Sequence, residues 1–120
     1  MFHAGNDFAE FDGKLYGLPL GIDIGVLFYN KEIFAQYGLE APSTFEDLIH
    51  VCEVLKENNV IPFVLANQPK WPGSFYFMYL VDRIGGPEAY AKALSREGAF
   101  NDEAFVKAGE AIERLVSLNV

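Results

Sequence analysis

Two apolar runs, Ile22 to Tyr29 and Ile61 to Ala66, flank one amphipathic stretch, and that order constrains the fold more than any other feature. The first run is built from Ile, Val, Leu and Phe, with Asp23 as its only charge. That is the pattern of a strand covered on both faces. The second has Pro62 near its start and reads as another buried strand. Between them, Phe45, Leu48, Ile49, Cys52 and Leu55 share one stripe at helical spacing. The helix start is written in Pro42-Ser43-Thr44-Phe45-Glu46-Asp47: either Thr44 caps with Asp47 reaching back, or Ser43 does so with Glu46. Its end falls near Asn58-Asn59. Strand, helix, strand predicts a parallel crossover unit, and hence an α/β fold with helices packed on a small, mostly parallel sheet. Two strands are few for a complete sheet, so further strands are expected outside this chain.

The rest of the chain divides by the same signals. Residues 1 to 12 have no clean period and read as an arm or partial helix. Leu15 to Leu20 reads as extended and closes at Pro19, which lacks a ladder donor. Asn30 ends the first strand, and Lys31 to Tyr37 makes a short helix stopped by Gly38. Asn67 to Ser74 is a loop. Phe75 to Ile84 is a helix apolar nearly all round, which predicts deep burial. Gly85-Gly86-Pro87 ends it and starts a helix from Glu88 to Leu94. Asn101 or Asp102 caps a last helix whose stripe is Ala104, Phe105, Ala108, Ile112, Leu115 and Val116.

Composition excludes several classes. A chain of 120 residues has room for one domain, and 51% hydrophobic content argues against disorder. The eleven Phe, six Tyr and one Trp exceed what a core of this size needs, so some belong on a binding or partner face. A net charge of −8 gains nothing from a phosphate backbone, so nucleic acid is not an expected partner. The single cysteine, Cys52, allows no intrachain disulfide and lies on an apolar stripe, as a small buried hydrophobe would. The longest apolar stretch, Phe75 to Val81, is too short to span a bilayer. Met1 to Asn6 carries neither the basic start nor the apolar run of a signal peptide.

No enzyme signature or metal-ligand spacing is present, and no cofactor is expected. Gly17, Gly21 and Gly25 are four apart, which is not a dinucleotide fingerprint. No Gly-x-Ser-x-Gly elbow occurs, and His50 and Cys52 point to different sides of their helix. The residues with binding chemistry are few. Asp23 is costly in an apolar strand unless paired or hydrogen-bonded; it is either a ligand acceptor at a strand end or a turn cap. Trp71 lies in a polar loop, where it either lids the core or offers an aromatic platform to the apolar face of a sugar. The amides of Asn67 and Gln68 donate and accept, as sugar hydroxyls do, though Asn-Gln-Pro is also ordinary turn chemistry. Tyr76 could turn its hydroxyl into a cleft, although its apolar helix favours the core. Tyr29 and Asn30 read as structural, with Asn30 bonding backbone at the strand end.

Three phrases in order give the chain a family likeness. They are Asp12-Gly13-Lys14-Leu15-Tyr16-Gly17-Leu18-Pro19-Leu20, Val26-Leu27-Phe28-Tyr29-Asn30-Lys31-Glu32-Ile33-Phe34, and Gly38-Leu39-Glu40-Ala41-Pro42-Ser43-Thr44-Phe45-Glu46-Asp47-Leu48. Together they resemble the extracellular solute-binding proteins of bacterial ABC importers, carbohydrate type, over about Phe11 to Asn119. The resemblance implies that residues 1–120 form a single partial domain. It would comprise an interlobe crossing near 15–22, with Gly17, Pro19 and Gly21 as hinge, and then the first part of the C-terminal lobe. It implies Asp23, Trp71, Asn67, Gln68 and Tyr76 as ligand-binding residues and a mono- or oligosaccharide as solute. A membrane permease is the implied partner. The implied location is extracellular or periplasmic, with a lipoprotein anchor in the parent and this chain an internal piece of it. Polyamines, metals or peptides remain open as solutes. An isolated lobe segment would also self-associate through surface the other parts should cover. Two rivals stand beside this reading: a glycoside-active domain using Asp23 as acid or base, and an interaction domain with no small-molecule ligand.

Overall fold

The computed structural model describes residues 9–18, 20–21 and 24–118. Its first element is a hairpin of two short strands, β1 (Glu10–Phe11) and β2 (Lys14–Leu15), antiparallel with Glu10 opposite Leu15. Asp12 and Gly13 form the turn with φ of 51° and 70°, the left-handed pair a two-residue hairpin requires. Five helices follow: α1 (Lys31–Gln36), α2 (Phe45–Glu57), α3 (Trp71–Gly85), α4 (Pro87–Ser95) and α5 (Glu103–Leu118).

Helix starts follow side-chain chemistry. Asn30 caps α1, its Oδ1 accepting from the N–H groups of Glu32 at 2.9 Å and Ile33 at 3.2 Å. Thr44, not Ser43, caps α2: Thr44 Oγ1 accepts from Asp47 N–H at 3.1 Å, and Asp47 Oδ2 accepts from Thr44 N–H at 2.9 Å. The α3 helix begins four residues before the expected Phe75, because Pro72 occupies its first turn, where a missing N–H is harmless.

The core lies among the last three helices. Leu80, Val81, Ala93, Phe105 and Ala108 are buried together. The Phe105 ring meets Tyr90 and Phe100 edge-on, both at 5.3 Å. Helices α3 and α5 approach so closely at Gly85 that a Cβ there would lie 2.5 Å from that of Ala104. A second cluster of Phe34, Val51 and Leu55 joins α1 to α2. Helix α2 is tied to α5 by two links: Arg114 donates twice to the Glu46 carboxylate at 2.7 Å, and Lys56 Nζ donates to the Ser117 carbonyl at 2.9 Å.

Two expectations fail. The mostly parallel sheet is not formed: among the described residues the hairpin is the only sheet, and residues 24–29 and 61–66 are in no ladder. A helix closes its hydrogen bonds within one segment, whereas a strand needs a neighbour. The side chains there are open as well, with Phe28 at 89% and Val64 at 92% exposure. Nor is α3 deeply buried. Only Leu80 and Val81 are; Trp71, Phe75, Met78, Tyr79 and Ile84 are exposed. The total accessible surface is 9778 Å², against about 6,500 Å² for a compact monomer of this mass.

Candidate functional site

Three of the five residues singled out for binding, Asn67, Gln68 and Trp71, lie at the start of α3. Asn67 sits at the head of a turn, its carbonyl accepting from Lys70 N–H at 2.9 Å. Lys70 takes a left-handed φ of 67°, unusual for a residue with a side chain. The chain then enters α3 at Trp71. Asn67 Oδ1 accepts from Gly73 N–H at 2.9 Å, and Ser74 Oγ donates to the Trp71 carbonyl at 2.7 Å. A Cβ at position 73 would lie 2.9 Å from Asn67 Oδ1, so the amide would have to shift.

Trp71 is thus the first residue of a helix rather than a loop residue, and it is 59% exposed. Its ring meets that of Phe75 edge-on at 5.4 Å. Sequence reading passed over Phe75 as core; the signal for it was its position four residues after Trp71, one turn along the same face. Gln68 is exposed in the same turn.

Tyr76 belongs elsewhere. Five positions after Trp71 on the helix, it points about 140° away from it. It is half-buried, meets Phe63 edge-on at 6.5 Å, and lines an apolar groove of about 590 Å³. The groove is lined by residues 26–30 and 60–65, which form no sheet ladder, and by Val51, Cys52 and Leu55 of α2. Cys52 is buried, and that burial pushes its thiol pKa up, as expected of a packing cysteine.

Asp23 and Pro19 lie outside the described residues, so the strand carboxylate and the hinge proline have no structural account. Of the other crossing glycines, Gly21 is exposed with open space about its Cα. A Cβ on Gly17 would touch the Ala9 methyl at an ordinary 3.7 Å. Among the described residues no His, Cys, Asp and Glu cluster suits a metal ion, and no helix is long and apolar enough to cross a membrane.

Comparison with known proteins agrees over nearly the whole chain. The sequence pattern of the family described as bacterial extracellular solute-binding protein matches residues 2–119. An uncharacterized ABC transporter extracellular-binding protein of Pyrococcus horikoshii is 37% identical over 100 residues, covering 81% of this chain and 23% of the relative. A multiple sugar-binding protein of Streptococcus mutans is 27% identical over 121 residues, covering 98% of this chain and 28% of its own length. A solved structure from work on xylan utilization by Caldanaerobius polysaccharolyticus superposes with a TM-score of 0.81 at 28% identity, over 98% of this chain and 30% of that one. The chain therefore spans about a quarter of the length of the curated relatives it matches.

Proposed function

Because the chain belongs to the bacterial extracellular solute-binding protein family, we propose that it forms the first part of one lobe of a two-lobed sugar carrier. The observation that carries this is Trp71, a half-exposed indole fixed at a helix start beside two polar amides. A pyranose offers such a ring its apolar face while its hydroxyls meet Gln68 and the Asp23 carboxylate. Tyr76 lies toward the groove and serves the lobe's packing before any ligand. Capture is followed by closure about the crossing at Gly17, Pro19 and Gly21, driven by the extra contacts the solute makes in the closed state. The closed form is then recognised by an ABC permease. The groove between residues 26–30 and 60–65 takes the remaining strands of a mostly parallel sheet supplied by the rest of the lobe. This location is extracellular or periplasmic, and the role is capture rather than catalysis.

The sugar-binding names of relatives support the solute class: the Streptococcus mutans protein above and an alpha-glucosides-binding periplasmic protein of Rhizobium meliloti. The test is a saccharide titration of a two-lobed protein carrying this segment. Asp23→Ala is expected to cost about 1.5–3 kcal/mol of affinity, the scale of a charged hydrogen bond. Trp71→Ala weakens binding with the melting temperature nearly unchanged, since the ring is mostly outside the core. Unchanged affinity in both variants would remove both residues from the site.

A further inference from the structure

We infer that Asn67 is a positioning residue: its side chain latches the turn before α3 and thereby aims Trp71. This rests on the reading of Trp71 as a sugar platform but concerns a different atom and a different job. Four observations meet at the latch. Asn67 Oδ1 accepts from Gly73 N–H, one of the first-turn donors of α3 that no helical carbonyl can satisfy. The Asn67 carbonyl holds Lys70 N–H, so one residue grips the turn at both ends. Lys70 between them is in the left-handed region, a conformation that persists only when its surroundings hold it. Finally, position 73 is glycine, and any side-chain carbon there would strike the Asn67 amide.

The usual cap position is held by Lys70, which makes no side-chain capping bond. Asn67 does that work from three residues further back. The distance matters, because the bond spans the whole turn and fixes the direction in which the chain enters the helix. Trp71 is the first residue of that helix, and the Asn67 bond to Gly73 holds the turn that carries it. One lone pair of the amide oxygen is therefore held by the backbone, and Asn67 acts on the solute through Trp71.

Trp71 is the only tryptophan, so its fluorescence reports the latch directly in the 120-residue chain. Asn67→Ala is expected to shift the emission maximum and lower the steady-state anisotropy while far-ultraviolet circular dichroism is retained. Gly73→Ala, which breaks the same bond from its other side, reproduces that change. Asn67→Asp keeps an acceptor, favoured by the helix start, and leaves the spectrum as in the parent. In a two-lobed protein carrying the segment, titrated with xylooligosaccharides and maltooligosaccharides, Asn67→Ala weakens binding roughly fivefold, the weight of one hydrogen bond, and Asn67→Asp restores it. An unchanged Trp71 spectrum in both Asn67→Ala and Gly73→Ala would overturn the latch. Binding lost equally in Asn67→Asp and Asn67→Ala, with the spectrum of Asn67→Asp intact, would make Asn67 a direct ligand contact instead. If no saccharide binds the parent at all, the sugar reading fails, and the fluorescence of the three variants still decides the latch.

Discussion

The α3–α5 half of the molecule and the two segments at 24–30 and 60–66 have opposite fates, although the segments are the more apolar. Phe105 is 3% exposed among three other rings; Phe28, in a more hydrophobic run, is 89% exposed. The difference is in where backbone hydrogen bonds are closed. Each helix satisfies its own and needs only one apolar face covered, which two neighbouring helices provide. A strand satisfies none alone, so its side chains are placed only once a ladder exists. The helical half thus closes its own hydrogen bonds, although α3 keeps an apolar face open, and the rest is a template awaiting strands.

Substitutions at the two regions sharpen this contrast. The largest effect is expected for Phe105→Ala, which empties the centre of the ring cluster and costs about 3–5 kcal/mol in a urea titration. The α2 cap gives a middle effect: Thr44→Ala removes the acceptor for Asp47 N–H and costs about 1 kcal/mol. The cap also has a pH signature. Hydrogen bonds from the Ser43 and Thr44 side chains and backbone hold the Asp47 carboxyl below its usual range. Its contribution is therefore complete above the ordinary Asp range and is lost as pH falls through the lowered folded-state value. In Thr44→Ala the acid limb of a melting-temperature profile should move toward neutral pH; a coincident limb would show that the cap is idle. The smallest effect is expected for Phe28→Ser, within about 0.5 kcal/mol, accompanied by less self-association in sedimentation velocity. If Phe28→Ser destabilised the chain as much as Phe105→Ala, the two regions would not differ as described.

What could be read from the sequence follows the same division. The ends of α1 and α2 were legible because their signals are local: Asn30 and Gly38, and Thr44 with Asp47. The stripe of α5 was legible by its period, and Phe105, Ala108 and Leu115 are buried as it predicted, although Val116 is exposed. Composition reads the apolar runs as strands, but a ladder depends on distant neighbours, which no local pattern supplies. The start of α3 was misplaced because Pro72 and Gly73 look like a loop until the Asn67 bond to Gly73 is seen. That bond spans six residues and has no spacing rule, so Asn67 and Trp71 could be named for their chemistry but not for their geometry. Burial of α3 was overestimated for a related reason: an apolar surround shows that a face wants covering, not which element covers it.

The most direct measurement is thermal melting of a two-lobed protein carrying this segment against mono- and oligosaccharides, with amino acids and polyamines as controls. A stabilisation confined to one saccharide series, reaching ~2.7 kcal/mol at a hundred times the dissociation constant, is the predicted result. Stabilisation by a polyamine or amino acid, with none by any sugar, would contradict it.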